Sequence, residues 1–122
     1  MTEYDRRVRA VLLAVFLAAC SSSDGDDDAT SLPEVDCTPP IPTFAQVNAF
    51  RTNCSNCHSV QLSGGSRMGA PAGMDYDVYA AAAAVGDGTA RTVFHGTMPP
   101  SGGIFPADKD VLYRWTLCGA PP

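Results

Sequence analysis

The chain has 122 residues, with eight Lys or Arg against 13 Asp or Glu for a net charge of −5, and it holds five Cys, four Met and only two His. That length allows one domain, and the charge leaves no basic patch for nucleic acid. The apolar run at 10–19 has ten residues, half of the roughly 20 that a helix needs to cross a bilayer.

In chain order, Arg6, Arg7 and Arg9 precede that run, and Cys20 ends it. A basic start, a short apolar stretch and small residues before a cut site make a secretory signal peptide, residues 1–19, and not a membrane anchor. The segment "LAAC" at 17–20 resembles the lipobox of bacterial lipoproteins, whose cysteine is acylated and becomes the new N-terminus. The resemblance implies lipidation of Cys20, export and a membrane anchor. Ser21, the next residue, is compatible with the outer rather than the inner membrane under the same resemblance. Cleavage as an ordinary signal peptide near Ala19 is the alternative.

Residues 20–36 are rich in Ser, Asp and Gly and have little to bury, so a disordered acidic tether is expected. Asp24, Asp26, Asp27, Asp28, Glu34 and Asp36 give it six acids, whereas 37–122 balances five acids with five bases. The low isoelectric point thus belongs to the tether, and 37–122 is the expected folded domain.

Within that domain the periodicity is helical. Phe44, Val47, Phe50, Cys54 and Cys57 recur at gaps of three and four, one face of a helix running into "CSNCH". Asp75–Val85 reads as a second helix, with Asp75 as N-cap and Gly86 as its stop. A short turn around Ala90–His95 and a helix from Pro106 to a stop at Gly119 follow, the latter with Val111 and Trp115 on one face. Strand signals are absent, so the expected class is all-α.

Five cysteines are an odd number for an exported chain. Lipid on Cys20 and a joint role for Cys54 and Cys57 leave Cys37 and Cys118 at the two ends of the domain. An oxidising compartment favours pairing them, and closing a loop of about 80 residues contributes about 4 kcal/mol in the chain-entropy model. Two buried free thiols are the alternative.

Cys54, Cys57 and His58 form C-x-x-C-H, which has three readings. Covalent attachment of c-type haem is the first: cysteines three apart on a helical turn share a face, so both sulfurs reach one porphyrin edge, and the following histidine turns toward the iron. Tetrahedral zinc needs more ligands than the motif supplies. A thioredoxin-like thiol pair usually sits in a βαβ pattern, which this chain lacks. Haem is the favoured reading.

Iron with a proximal histidine can be closed by Met, closed by His or left open. Met98 is the candidate, because Pro99 disfavours a helical Met98 and Pro99–Pro100 stiffens the loop. It stands 40 residues beyond His58, enough chain to wrap a haem. Met68 and Met74 read as haem-wall or core filler, and His95 as a surface or haem-edge residue.

The stretch from about Thr43 to Pro122 resembles class I cytochrome c domains of the short bacterial type. Cys54, Cys57 and His58 match the attachment motif, and Met98 with Pro99 matches the distal methionine. Phe50 and Trp115 match aromatics of the N- and C-terminal helices. "GAP" at 69–71 resembles the segment whose carbonyl accepts the axial histidine's ring N–H, and "WTLCGAPP" resembles the ending of one bacterial subgroup. Gln46 departs from the pattern: many members have glycine there, so the resemblance implies a looser helix crossing, with a Cys37–Cys118 bridge in compensation. The resemblance further implies an all-helical fold around one covalent haem c, with His58 and Met98 on the iron. It implies a monomeric one-electron carrier, not itself an enzyme, tethered on the periplasmic side and serving redox protein partners. A haem-based gas or redox sensor and an electron-transfer subunit of a larger oxidoreductase are the alternatives.

Overall fold

The computed structural model describes residues 28–122, so the expected signal peptide, Cys20 and the first acids of the expected tether lie outside the described residues. Among the described residues the regular elements are helices, with no strand. The all-α class is therefore correct. The α-helices among the described residues are α1 (Tyr79–Ala84), α2 (Gly86–Phe94) and α3 (Pro106–Leu117).

The helical face expected ahead of the motif is buried, but its helix is broken in two. A 3-10 turn, Phe44–Gln46, opens where the Gln46 side chain accepts the Thr43 N–H at 2.9 Å. Val47 then leaves helical geometry (φ −78°, ψ 81°). The chain rewinds as a π-turn, Phe50–Cys54, because the Ser55 N–H and hydroxyl both bond the Phe50 carbonyl, at 2.9 and 2.8 Å. Val47 and Phe50 remain within 1% of complete burial, so the apolar spacing governs which side chains go inside even where the winding changes.

Those side chains meet the C-terminal helix in an aromatic core. Phe50 packs edge-on to Trp115 at 5.2 Å and stacks on Tyr76 at 5.0 Å, while Phe44 lies 5.7 Å from both Tyr79 and Trp115. Offset and edge-on pairs of this kind contribute about 0.5–1.5 kcal/mol each beyond area burial. Trp115 is wholly buried, and its indole N–H donates to the Pro121 carbonyl at 2.7 Å. The Phe44 N–H bonds the same carbonyl at 3.1 Å, which fastens the start of the domain to its end. Pro106 opens α3 and Gly119 follows it at φ +96°, as the sequence predicts.

The middle of the chain departs from expectation. Asp75 is not a helix cap, because it pairs with Arg67 instead, and Val78 becomes the N-cap of α1. The helix before Gly86 does stop there, with Val85 as the C-cap of α1, but Gly86 also begins α2, and the short turn expected at Ala90–His95 is the end of that nine-residue helix. Gly86 is needed for packing. A Cβ there would lie 3.1 Å from the Thr116 carbonyl oxygen, so α2 and α3 cross nearly backbone to backbone.

Cys37 and Cys118, 81 positions apart in sequence, form a disulfide with Cα atoms 5.4 Å apart. Residues 28–36, assigned to the tether, instead run extended over α2 and α3. Arg91 donates to the Thr30 carbonyl at 3.3 Å, and the His95 Nε2–H to the Ser31 carbonyl at 3.1 Å. Arg114 bonds the carbonyls of Asp36, Thr38 and Pro40 at 2.9, 2.9 and 3.0 Å. Pro33 and Val35 of the strap are half-buried, and cationic side chains hold it by its backbone.

A candidate haem-attachment site

The motif sits on the turn that follows the π-wound segment. The Cys57 and His58 N–H groups bond the Cys54 carbonyl at 3.2 and 2.9 Å, closing one helical turn around the two sulfurs. Cys54 and Cys57 are unpaired thiols, both partly buried. Burial pushes the Cys54 thiol up to about 12, opposite to the lowered value of a nucleophilic redox cysteine. No group of three or more His, Cys, Asp or Glu among the described residues is placed to hold a metal ion, so a tetrahedral zinc donor set is not assembled.

His58 is only 9% exposed. Its Nδ1 lies 3.1 Å from the Met74 carbonyl oxygen, which can only accept, so Nδ1 carries the proton. Nε2 of the neutral ring is then a bare lone pair. It has no hydrogen-bond partner among the described residues, and no buried side-chain nitrogen or oxygen there lacks one, so Nε2 meets solvent. Tyr76 braces the ring edge-on at 5.3 Å, and its N–H bonds the His58 carbonyl at 2.9 Å. Tyr76 is itself anchored: Thr89 donates its hydroxyl proton to the Val85 carbonyl at 2.9 Å and accepts from the Tyr76 hydroxyl at 2.7 Å.

The acceptor for the ring is not in the GAP segment, as the resemblance implies, but three residues beyond it. The Pro71 carbonyl is occupied by Arg67 Nη2 at 2.6 Å. Arg67 is the feature sequence reading missed. Buried to 7% exposure, it also bonds the Ser59 carbonyl at 2.6 Å, the Ala70 carbonyl at 3.1 Å and Asp75 at 2.8 Å. A signal was present: Arg67 is the only cation between Arg51 and Arg91, set among glycines eight residues before Asp75. A second support lies beside it. Asp77 accepts from the Ser59 hydroxyl at 2.5 Å and from the Val60 N–H at 3.0 Å. Desolvation pulls the Asp77 carboxyl up, but those bonds outweigh it and hold it below its ordinary value.

Met98 is carried by the loop after α2, where its N–H bonds the Thr92 carbonyl at 3.1 Å and its side chain is 43% exposed. The same loop reaches the motif five residues later, where the Gly103 carbonyl accepts from Asn53, the residue before Cys54, at 3.4 Å. Phe105, at the end of that loop, is 74% exposed. Met74 packs against the core as expected. Met68 is not core filler: it is largely exposed in a left-handed conformation (φ +51°), its sulfur 3.6 Å from that of Cys57. His95 faces the strap, with Nε2 committed to Ser31. A concavity of about 270 Å³, lined by Pro40, Ile41, Pro42, Gln46 and Val111, includes no residue of the motif or of the Met98 loop. No protein-family model, curated protein or solved structure matches this chain.

Proposed function

We propose that this chain is a one-electron carrier of the class I cytochrome c type, holding one haem c through Cys54 and Cys57. His58 and Met98 are the axial ligands, and Cys20 tethers the domain by lipid to the periplasmic face of a bacterial membrane, the outer one by the lipobox rule. The observation that carries the reading is the His58 tautomer. Nδ1–H is committed to the Met74 carbonyl, and a lone pair is left on an Nε2 with no partner among the described residues, next to the turn that carries two thiols. That is the state an imidazole needs to bind a metal.

The group supplies reversible ferric–ferrous chemistry, and axial methionine raises its potential. The chain's own residues do the rest. Cys54 and Cys57 fix the porphyrin edge through thioethers. His58 is oriented by Met74 and Tyr76. Met98, on a loop that meets the motif at Asn53, would supply the second protein ligand to the iron. Redox protein partners then exchange single electrons with a domain kept near the membrane. No strong net charge on residues 37–122 steers the choice of partner.

The test is expression in a host with cytochrome c maturation machinery, followed by denaturing extraction and visible spectra. Expected are pigment that stays with the chain, a low-spin spectrum and the methionine–iron charge-transfer band, all lost in Cys54→Ser/Cys57→Ser. A chain without covalent pigment refutes the reading. Ready binding of carbon monoxide by the reduced protein at neutral pH replaces the carrier with a gas-sensing module.

A further inference from the structure

Arg67 grips the backbone on both sides of His58's environment. Its Nη1 bonds the carbonyl of Ser59, the residue after His58, at 2.6 Å. Its Nη2 lies 3.4 Å from the Met74 carbonyl oxygen, the same atom that accepts the His58 Nδ1–H at 3.1 Å. A structural cation would need only Asp75, 2.8 Å away. Here the guanidinium fork is spread over main-chain oxygens as well, a geometry that lysine's single ammonium cannot copy.

We propose that Arg67 is a positioning residue for His58 that weakens the ring's hydrogen bond and so limits the electron density offered at Nε2. This rests on the haem reading above. A carbonyl oxygen facing a cation has less density to share with a second donor, so the Nδ1–H bond is held back from imidazolate character. Hydrogen bonding at the far nitrogen sets ligand basicity, and ligand basicity is one of the levers on the potential of haem iron. Arg67 therefore favours the ferrous state. Asp75 offsets its charge, so the effect runs through the shared carbonyl and not through a net positive field.

The experiment uses the full chain matured with its haem and measures two quantities in each variant. One is the midpoint potential. The other is the proton resonance of His58 Nδ1–H in the reduced, diamagnetic protein. Arg67→Gln/Asp75→Asn removes both charges together. It is expected to lower the potential, by about 59 mV for each tenfold gain in ferric preference, and to move the Nδ1–H resonance downfield. Arg67→Lys keeps the ion pair with Asp75 and so guards against a variant that fails to fold; it loses the fork and moves both quantities the same way, by less. Loss of stability with both quantities unchanged in Arg67→Lys overturns the proposal and leaves Arg67 a structural residue. A wild-type chain lacking covalent haem is seen in the spectrum before any potential is measured, and it overturns the underlying reading instead.

Discussion

Two glycines of α2, two residues apart, are expected to respond to the same substitution with opposite signs. Gly86 is buried, and a Cβ on it would come 3.1 Å from the Thr116 carbonyl and 3.6 Å from the Thr116 Cα and Cβ. Those first two neighbours are backbone of α3 and cannot swing aside, so Gly86→Ala must push the helices apart. Overpacking of this kind costs about 1–3 kcal/mol. The usual alanine gain is small here, because Gly86 is the first residue of the helix. Gly88 is exposed, and a Cβ there would meet nothing within 4 Å. Gly88→Ala thus returns the gain of about 0.5–1 kcal/mol expected for replacing a helical glycine. The two variants should differ by about 2 kcal/mol. With a urea slope of about 2 kcal/mol per molar, far-UV circular dichroism should place their midpoints about 1 M apart, on either side of wild type. If Gly86→Ala is as stable as Gly88→Ala, the close crossing of α2 and α3 does not exist in solution, and the helix packing argued from it fails.

Replacing Cys37 and Cys118 by serine should cost about 4 kcal/mol, since the disulfide closes 81 residues; the same loss should follow reduction of the wild type, read by thermal unfolding with and without a thiol reductant. Trp115→Ala, at a fully buried site in contact with Phe44, Phe50 and Tyr79, should cost about 3–5 kcal/mol, measured by denaturant titration. Asp77 tests the acid side. Its folded value lies below the ordinary 3.8, so its stabilising contribution is full above that pH and disappears as pH falls through the folded value. Asp77→Asn should flatten the pH dependence of the melting temperature below about pH 4 and leave the slope near neutrality unchanged.

How far the sequence carries this protein can be judged from single residues. Cys54, Cys57 and His58 are legible because their chemistry depends on spacing within one turn, and local backbone geometry delivers it. Val47, Phe50 and Trp115 are legible because burial follows apolar periodicity, which survived even the break at Val47 and the π-turn after it. Pro106 and Gly119 marked the ends of α3 by what their backbones permit. The pairing of Cys37 with Cys118 followed from elimination among five cysteines.

Tertiary structure decided the rest, because it turned on choices between partners far apart in sequence. Asp75 had a helix to cap nearby and a guanidinium eight residues earlier; the buried charge went to the cation, since an unpaired one inside costs far more than a lost cap. Gly86 carries the local signature of a helix stop, yet the α2–α3 crossing needed a residue without a side chain at a helix start. The acidic segment 28–36 looked like free tether by composition, and only the folded positions of Arg91, His95 and Arg114 turned it into a bound strap. The sequence alone determined which apolar residues go inside, because burial follows their spacing. Which carbonyl faces His58, and which cation stands behind that carbonyl, depended on a loop whose path is set by long-range hydrogen bonds and not by its own composition.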